Sequence, residues 1–479
     1  MSRAQTEEAI RPSHRSILEE DEVRVVVAEG MFGLEVERDL IADIVAEQRF
    51  FDLRQQVLAA NQKFDRIGQL VDRLALRIAQ PPDQADDAGR GDRHRSMIAQ
   101  SFMDIDRSTP LLGGLSASEF MRRHWQKKPL LIRAAKPPGT AIVTRAELFA
   151  LAADDAVESR LVVRDGDRWS LRHGPFGRRA LPSLKAPHWT LLVQGADLHL
   201  DAAHRLLGDF RFVPDARLDD VMFSFATDGG GVGPHIDSYD VFLLQVAGRR
   251  RWRIGRAKCA TLRTDTPLKI LADFDPTDEW LLDPGDMLYL PPGWGHDGVA
   301  DGETITASIG FRSAGRESLG IDVLQQMLDA VQPDDAEARY ADPDQKATRR
   351  PARIPPALRR YAEVSVRRLV DDREARATAL GRTLSEPKPG VWFDRVEGAA
   401  PAGGALRLDR RSRMLYDERH VFLNGEACRV DRPNAKILQR LADRRRIEAD
   451  EIAALDAEGR AAIERWHAAG WLQDATMET

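Results

Sequence analysis

Two stretches decide how this chain folds. The first is Gly229-Gly230-Gly231-Val232-Gly233-Pro234-His235-Ile236-Asp237. The second is Gly285-Asp286-Met287-Leu288-Tyr289-Leu290-Pro291-Pro292-Gly293-Trp294-Gly295-His296. His235 and Asp237 stand two residues apart, a spacing that places both side chains on one face of a strand. His296 arrives behind a Pro-Gly-Asp turn and the stiff run Pro291-Pro292-Gly293. Two imidazoles and one carboxylate make a facial triad, which holds a metal and leaves coordination positions open for O2 and a cosubstrate. A His-x-Asp pair by itself is an ordinary feature of strands; the surrounding spacing gives this pair its meaning.

Gly229 and His235 fit G-x5-H, and Gly285, Pro291 and His296 fit G-x5-P-x4-H. These resemble the two half-motifs of the cupin barrel, a double-stranded jelly roll. The common cupin carries a Glu as fourth ligand after the first pair, but Val241 holds that position here. That leaves room at the metal for an oxygenase. Iron, zinc and manganese all accept such a ligand set, so donor chemistry alone does not choose the metal.

Working outward, the hydrophobic pattern has period two from Leu161 onward. Strands are expected at Leu161–Val163, Trp169–Leu171, Trp189–Val193, Asp220–Ala226, Tyr239–Val246, Arg250–Ile254, Met287–Leu290 and Thr304–Phe311. There is no alternating βαβ pattern, so an antiparallel roll is expected. After a turn at Ala247-Gly248, Arg250, Trp252 and Ile254 share one face. Trp and Ile mark that face as buried, which carries Arg250 inside. A buried guanidinium needs an anion, either a structural Asp or Glu or the distal carboxylate of 2-oxoglutarate. Thr306 and Ser308, alternate residues of a late strand, are candidates to hold the same carboxylate. Tyr239 lies on the ligand face, as a substrate contact or as core. Asp228 faces a substrate cation or caps a turn. The glycines at 229–231 read as a barrel rim with room for a substrate backbone; they lack the Lys-Ser/Thr of a phosphate-binding loop.

Further segments resemble the bacterial JmjC-type ribosomal oxygenases, the ribosomal protein arginine hydroxylase family. They are Trp125-Gln126-Lys127-Lys128-Pro129-Leu130-Leu131-Ile132-Arg133, Phe210 to Asp215, Asp219 to Phe225 and Gly229 to Gly255. The resemblance runs from about Met103 to Trp471. It implies an Fe(II)- and 2-oxoglutarate-dependent dioxygenase that uses O2 to hydroxylate an arginine of a large-subunit ribosomal protein. It also implies His235, Asp237 and His296 as metal ligands, Arg250 as the cosubstrate arginine, and a homodimer. The contrasting reading is a metal-binding cupin that acts as a scaffold without oxygenase activity. Arg250 on the apolar face separates the two, since a scaffold has no use for it.

Composition bounds the rest. With 479 residues, several domains are expected. No apolar run approaches membrane-spanning length, and residues 1–16 have no apolar leader, so a cytoplasmic protein is expected. The two cysteines, Cys259 and Cys428, stand far apart and give no disulfide framework. A net charge of −6 argues against direct nucleic-acid binding, with the basic run at 349–360 as the local exception.

The expected architecture is α+β. Residues 1–96 form a helical extension and linker, with a near-heptad stripe from Phe50 to Ile78 and a Pro/Gly/Asp-rich segment at 81–96. No candidate ligand lies there, and a start at Met97 or Met103 would leave the family-like part intact. Residues 97–313 form the jelly-roll catalytic domain. Ser116 with Glu119 and Thr144 with Glu147 are capping boxes that open its helices. Residues 314–385 are a helical dimerisation region, its stripes carried by Leu324, Met327, Leu328 and Val331, then Leu358, Tyr361 and Leu369. Residues 386–479 resemble a winged helix, with a hairpin turn at Asn424-Gly425. Its acidic cluster (Glu448, Asp450, Glu451, Asp456, Glu458) reads as a docking face.

Overall fold

The computed structural model describes residues 103–140, 142–256, 261–331, 339–396 and 404–475, and the backbone of three short strands before them. The chain divides into two units, Met1–Met97 and Ile98–Thr479. In the first, β1 (Arg15–Ser16), β2 (Val26–Ala28) and β3 (Met31–Gly33) pair in that order as an antiparallel sheet. The stripe expected from Phe50 to Ile78 and the linker after it lie outside the described residues.

The second unit opens with two helices built on the expected capping boxes. Ser116 accepts the Glu119 N–H at 3.1 Å and Glu119 accepts the Ser116 N–H at 3.2 Å, starting α1 (Ala117–Arg123). Thr144 and Glu147 do the same for α2 (Arg145–Leu151). Around them runs a ten-stranded antiparallel sheet. Its strands are β4 (Leu130–Ile132), β5 (Ser159–Asp165), β6 (Arg168–His173), β7 (Trp189–Val193), β8 (Leu218–Ala226), β9 (His235–Ile236), β10 (Val241–Arg256), β11 (Asp278–Leu282), β12 (Met287–Leu290) and β13 (Trp294–Phe311). They pair in the order β4-β12-β10-β13-β8-β7-β5-β6, with β11 on β10 and β9 on β13. A short α3 (Asp201–Gly208) bridges β7 to β8.

The two faces of β10 separate two cores. Phe242 and Leu244 join Phe120, Phe210, Tyr289 and Phe311 in the larger one. Val241 and Leu243 join Trp252, Ile254, Leu282, Leu288 and Leu290 inside the roll. Val241 is therefore lumen packing where the common cupin has a ligand. Leu130–Ile132 is an edge strand on β12, and only Ile132 is fully buried.

One expectation fails instructively. Ala247-Gly248 is no hairpin turn. β10 runs straight through it as a sixteen-residue strand, and β13 opposite is eighteen residues long. The register instead slips between Gln245 and Ala247 and again between Ala247 and Arg249. Gly248, at φ +63°, supplies the left-handed residue of a bulge, which bends the strand without ending it. The first half of β10 pairs with β12 and the second with β11, so one bent ribbon serves both walls of the roll.

Three helices follow: α4 (Arg316–Asp329), α5 (Pro356–Val370) and α6 (Arg373–Ser385). The last is absent from the sequence reading because it buries only Ala379, Gly381 and Ser385, small residues that make no apolar stripe. The C-terminal part contains β14 (Leu406–Leu408), β15 (Met414–Tyr416), β16 (His420–Leu423), β17 (Glu426–Arg429), α7 (Arg432–Arg444), β18 (Arg446–Ile447), α8 (Ala449–Ala453), α9 (Ala457–Ala468) and β19 (Leu472–Asp474). The β16–β17 hairpin turns at Asn424 and Gly425, both at positive φ, as its two-residue loop demands. Val421, Leu438, Leu441, Trp466 and Leu472 form the core of this winged helix. Its acidic cluster is largely tied up internally: Glu448 pairs with Arg446, Glu451 with Arg440, and Asp456 caps α9. Arg211 docks the domain on the roll through the carbonyls of Ala442 and Asp443.

Candidate active site

His235 sits on β9, Asp237 just past its end, and His296 near the start of β13, where β9 pairs with β13 and sets His235 directly opposite His296. One ligand atom from each of the three lies within 4.8 Å of the others. The imidazole centroids are 4.2 Å apart, and His296 Nε2 is 3.6 Å from Asp237 Oδ2. Each ring donates from Nδ1 to a backbone carbonyl, His235 to Gly233 at 2.9 Å and His296 to Trp294 at 3.1 Å. That leaves Nε2 of both rings as lone-pair donors facing Asp237, the arrangement a metal ligand needs. Burial, and then the neighbouring His235, hold the His296 imidazole well below its ordinary range, which keeps it neutral. Burial raises the Asp237 carboxyl, with His235 and a hydrogen bond from Tyr239 pulling the other way. The donor set fits a divalent metal: two neutral nitrogens, one carboxylate and no fourth ligand among the described residues.

Arg250 is carried inside, as the alternation required, and is 3% exposed. Its Nη1 donates to Ser224 Oγ at 2.7 Å and to Thr306 Oγ1 at 3.2 Å. The guanidinium lies 5.4 Å from the Trp252 ring centroid, and its buried Nε has no partner. Among the described residues no carboxylate pairs with it. Asp297, the carboxylate whose charge acts on it, is bound to Arg253. Burial pulls this guanidinium down to about 10. A buried cation with an idle N–H and no anion is what a carboxylate-bearing cosubstrate would complete.

Thr306 is thus brought to Arg250, whereas Ser308, opposite Leu243 and Met222, makes no hydrogen bond to it. Ser224 was missed. Its only signal is register, since it pairs across the sheet with Thr306. Tyr239 is 39% exposed, not core, and its hydroxyl meets Asp237 at the mouth of the site. Asp228 is exposed and accepts the N–H of Gly302, on β13, at 2.9 Å. The glycines after it do not make room for a substrate. A Cβ on Gly231 would stand 2.6 Å from the Gly298 carbonyl, so the space is taken by the protein's own backbone.

Residues 205–319 match the JmjC domain family and residues 368–473 the ROXA-like winged helix. Fold and pocket together place the protein among the JmjC oxygenases. Among curated proteins it is 32% identical over 354 residues to ribosomal protein uL16 3-hydroxylase of Escherichia coli, covering 71% of this chain and 91% of that one. It is 36% identical over 198 residues to a probable ribosomal oxygenase of Haemophilus influenzae, covering 40% of this chain and 48% of that one. The structure of E. coli YcfD, a ribosomal oxygenase, in complex with cobalt and 2-oxoglutarate superposes with a TM-score of 0.64. It does so at 29% identity, covering 75% of this chain and 98% of that one. The chain belongs to the JmjC-type ribosomal oxygenases. Its candidate metal site among the described residues is His235, Asp237 and His296.

Proposed function

We propose that this oxygenase hydroxylates an arginine side chain of the large-subunit ribosomal protein uL16, working as a cytoplasmic homodimer. The observation that carries the oxygenase reading is Arg250: a buried guanidinium, against the same Trp252 ring that neighbours His296, whose only polar partners among the described residues are two hydroxyls. The relative named for uL16 3-hydroxylation matches nearly its full length to this chain, which supports the substrate.

In this reading His235, Asp237 and His296 hold Fe(II), and Arg250, Ser224 and Thr306 grip the distal carboxylate of 2-oxoglutarate. Ser308 lines the same strand as a second-rank contact. Bound iron supplies O2 activation coupled to cosubstrate decarboxylation. The protein's own groups do the positioning. Tyr239 holds Asp237 at the open side, and Trp252 stacks on Arg250 and crowds His296. Asp228 offers a carboxylate at the rim to a cationic substrate side chain. An arginine is long enough to reach in from a flexible loop. The domain limits expected from sequence, at 97–313, 314–385 and 386–479, serve as the working division. No helix among the described residues is long and apolar enough to cross a membrane.

The test uses purified protein with Fe(II), ascorbate, 2-oxoglutarate and recombinant uL16. Mass spectrometry should find one oxygen added to an arginine, with matching succinate. Asp237→Ala should abolish both products. Succinate without any oxidised uL16 peptide would overturn the substrate, and no succinate at all would favour the scaffold alternative.

A further inference from the structure

Between the roll and the winged helix lies a cavity of about 80 Å³, remote in sequence from the triad, whose wall mixes cations with Asp197, Asp215 and Asp219. Its wall includes His204, Arg211, Lys388, Arg410, Arg413 and Arg445. Four cations at or around it are spoken for: Arg211 by Asp215, Lys388 by Asp219, Arg410 by Asp201 and Arg411 by Asp409. Arg413 and Arg445 are not. Among the described residues neither has a carboxylate within ion-pair distance, although Asp219 and Asp215 act on Arg413, and Asp215, Asp409 and Asp197 on Arg445. Arg445 donates only to the carbonyls of Asp409 and Ser412, and Arg413 to the Asp215 carbonyl at 3.3 Å. Two nitrogens on this wall, Arg413 Nε and His204 Nδ1, are buried with no hydrogen-bond partner among the described residues.

The remaining wall carboxylate, Asp197, offers little counter-charge, because burial and then the nearby Asp220 raise it to about 7. Burial likewise pulls both guanidinium groups down to about 10. The backbone gives a separate indication. Arg445 occupies the left-handed position that ends α7, at φ 55°, where glycine would sit without strain. From that position the Arg445 side chain reaches the carbonyls of Asp409 and of Ser412, the latter on the cavity wall.

We propose that this cavity binds one small oxyanion, of the size and charge of inorganic phosphate. Arg413 and Arg445 supply the charge, and Arg413 Nε and the His204 ring supply idle donors. Two largely buried guanidinium groups without a direct ion pair leave binding capacity unused, and a tetrahedral oxyanion with several acceptor oxygens would engage both. The volume is more than a single water needs. His204 belongs to the roll and the two arginines to the winged helix, so the anion would fasten one domain to the other. This site is independent of the substrate reading above.

The experiment is thermal unfolding of the full chain in phosphate against chloride at equal ionic strength, with calorimetric titration of phosphate into the wild type. A ligand bound only by the folded protein raises its melting temperature with concentration. The expected results are a saturable rise in the wild type and a phosphate affinity roughly ten- to a hundredfold weaker in Arg413→Gln. The rise should persist in Arg250→Ala. A rise lost in Arg250→Ala would place the anion in the cosubstrate pocket and overturn the proposal. So would an equal rise in Arg413→Gln, or no phosphate heat and no shift in the wild type, a result readable even if Arg413→Gln fails to fold.

Discussion

Arg250 Nη1 meets Ser224 Oγ at 2.7 Å, although the two residues come from β10 and β8, strands that are separated by β13. The contact tethers the guanidinium through one nitrogen and leaves Nε idle. Arg250→Ala should therefore raise the apparent 2-oxoglutarate constant roughly ten- to a hundredfold, the value of a charge-assisted hydrogen bond. Ser224→Ala should raise it less, about tenfold or below, by letting the guanidinium drift. Mn(II) affinity, followed by electron paramagnetic resonance, should stay near wild type in both. An unchanged constant in Arg250→Ala would mean that the cosubstrate is held elsewhere.

Gly248 ties the roll together at its bend. A Cβ there would stand 2.0 Å from the Glu303 carbonyl, at a φ that side chains avoid. Gly248→Ala should cost at least about 2 kcal/mol. The readout is a lowered urea midpoint with an unchanged slope. A midpoint equal to wild type would show that the bulge can relax at no cost.

Some of this site is legible in the sequence, and the reason differs residue by residue. His235, Asp237 and His296 are fixed by spacing within two short motifs, and Arg250 by strand alternation beside Trp252. Both are local signals. Ser224 is invisible locally, because it reaches Arg250 only through the pairing of β8 with β13. The bulge at Gly248 is read as a turn for a related cause. A left-handed glycine serves both structures, and only the length of the partner strand tells them apart. The stripe on α4 and α5 is legible as amphipathic helix, but the small residues of α6 leave no period to follow.

Helix α5 has no buried residue at all, yet it carries Leu358, Tyr361, Val364 and Leu369. Ile321, Leu324 and Leu328 of α4 are exposed as well. Such stripes are normally covered, and a second copy of the same helices would cover them symmetrically. Light scattering should give the mass of a homodimer at micromolar concentration. Leu324→Asp and Leu358→Asp together should shift it towards monomer while the far-ultraviolet dichroism is kept. A wild-type monomer would rule out the dimer.

Asp197 sets a pH dependence whose sign can be worked out. It is 3% exposed, its Oδ1 accepts the Val221 N–H at 2.9 Å, and burial followed by the charge of Asp220 raises it from 3.8 to about 7. Lys388, close to Asp219 and Asp220, pulls the other way but does not win. The unfolded chain loses this proton near pH 4, and the folded protein keeps it until near pH 7. Between those values the folded state holds more protons, so stability falls as pH rises. At about 1.4 kcal/mol per unit, the loss across the window is on the order of 4 kcal/mol, complete by about pH 8. Asparagine keeps the acceptor for Val221 and cannot ionise. Asp197→Asn should therefore gain stability over wild type from pH 5 to pH 8, in urea melts run at both. A difference that does not grow with pH would mean that Asp197 is ionised in the folded protein throughout.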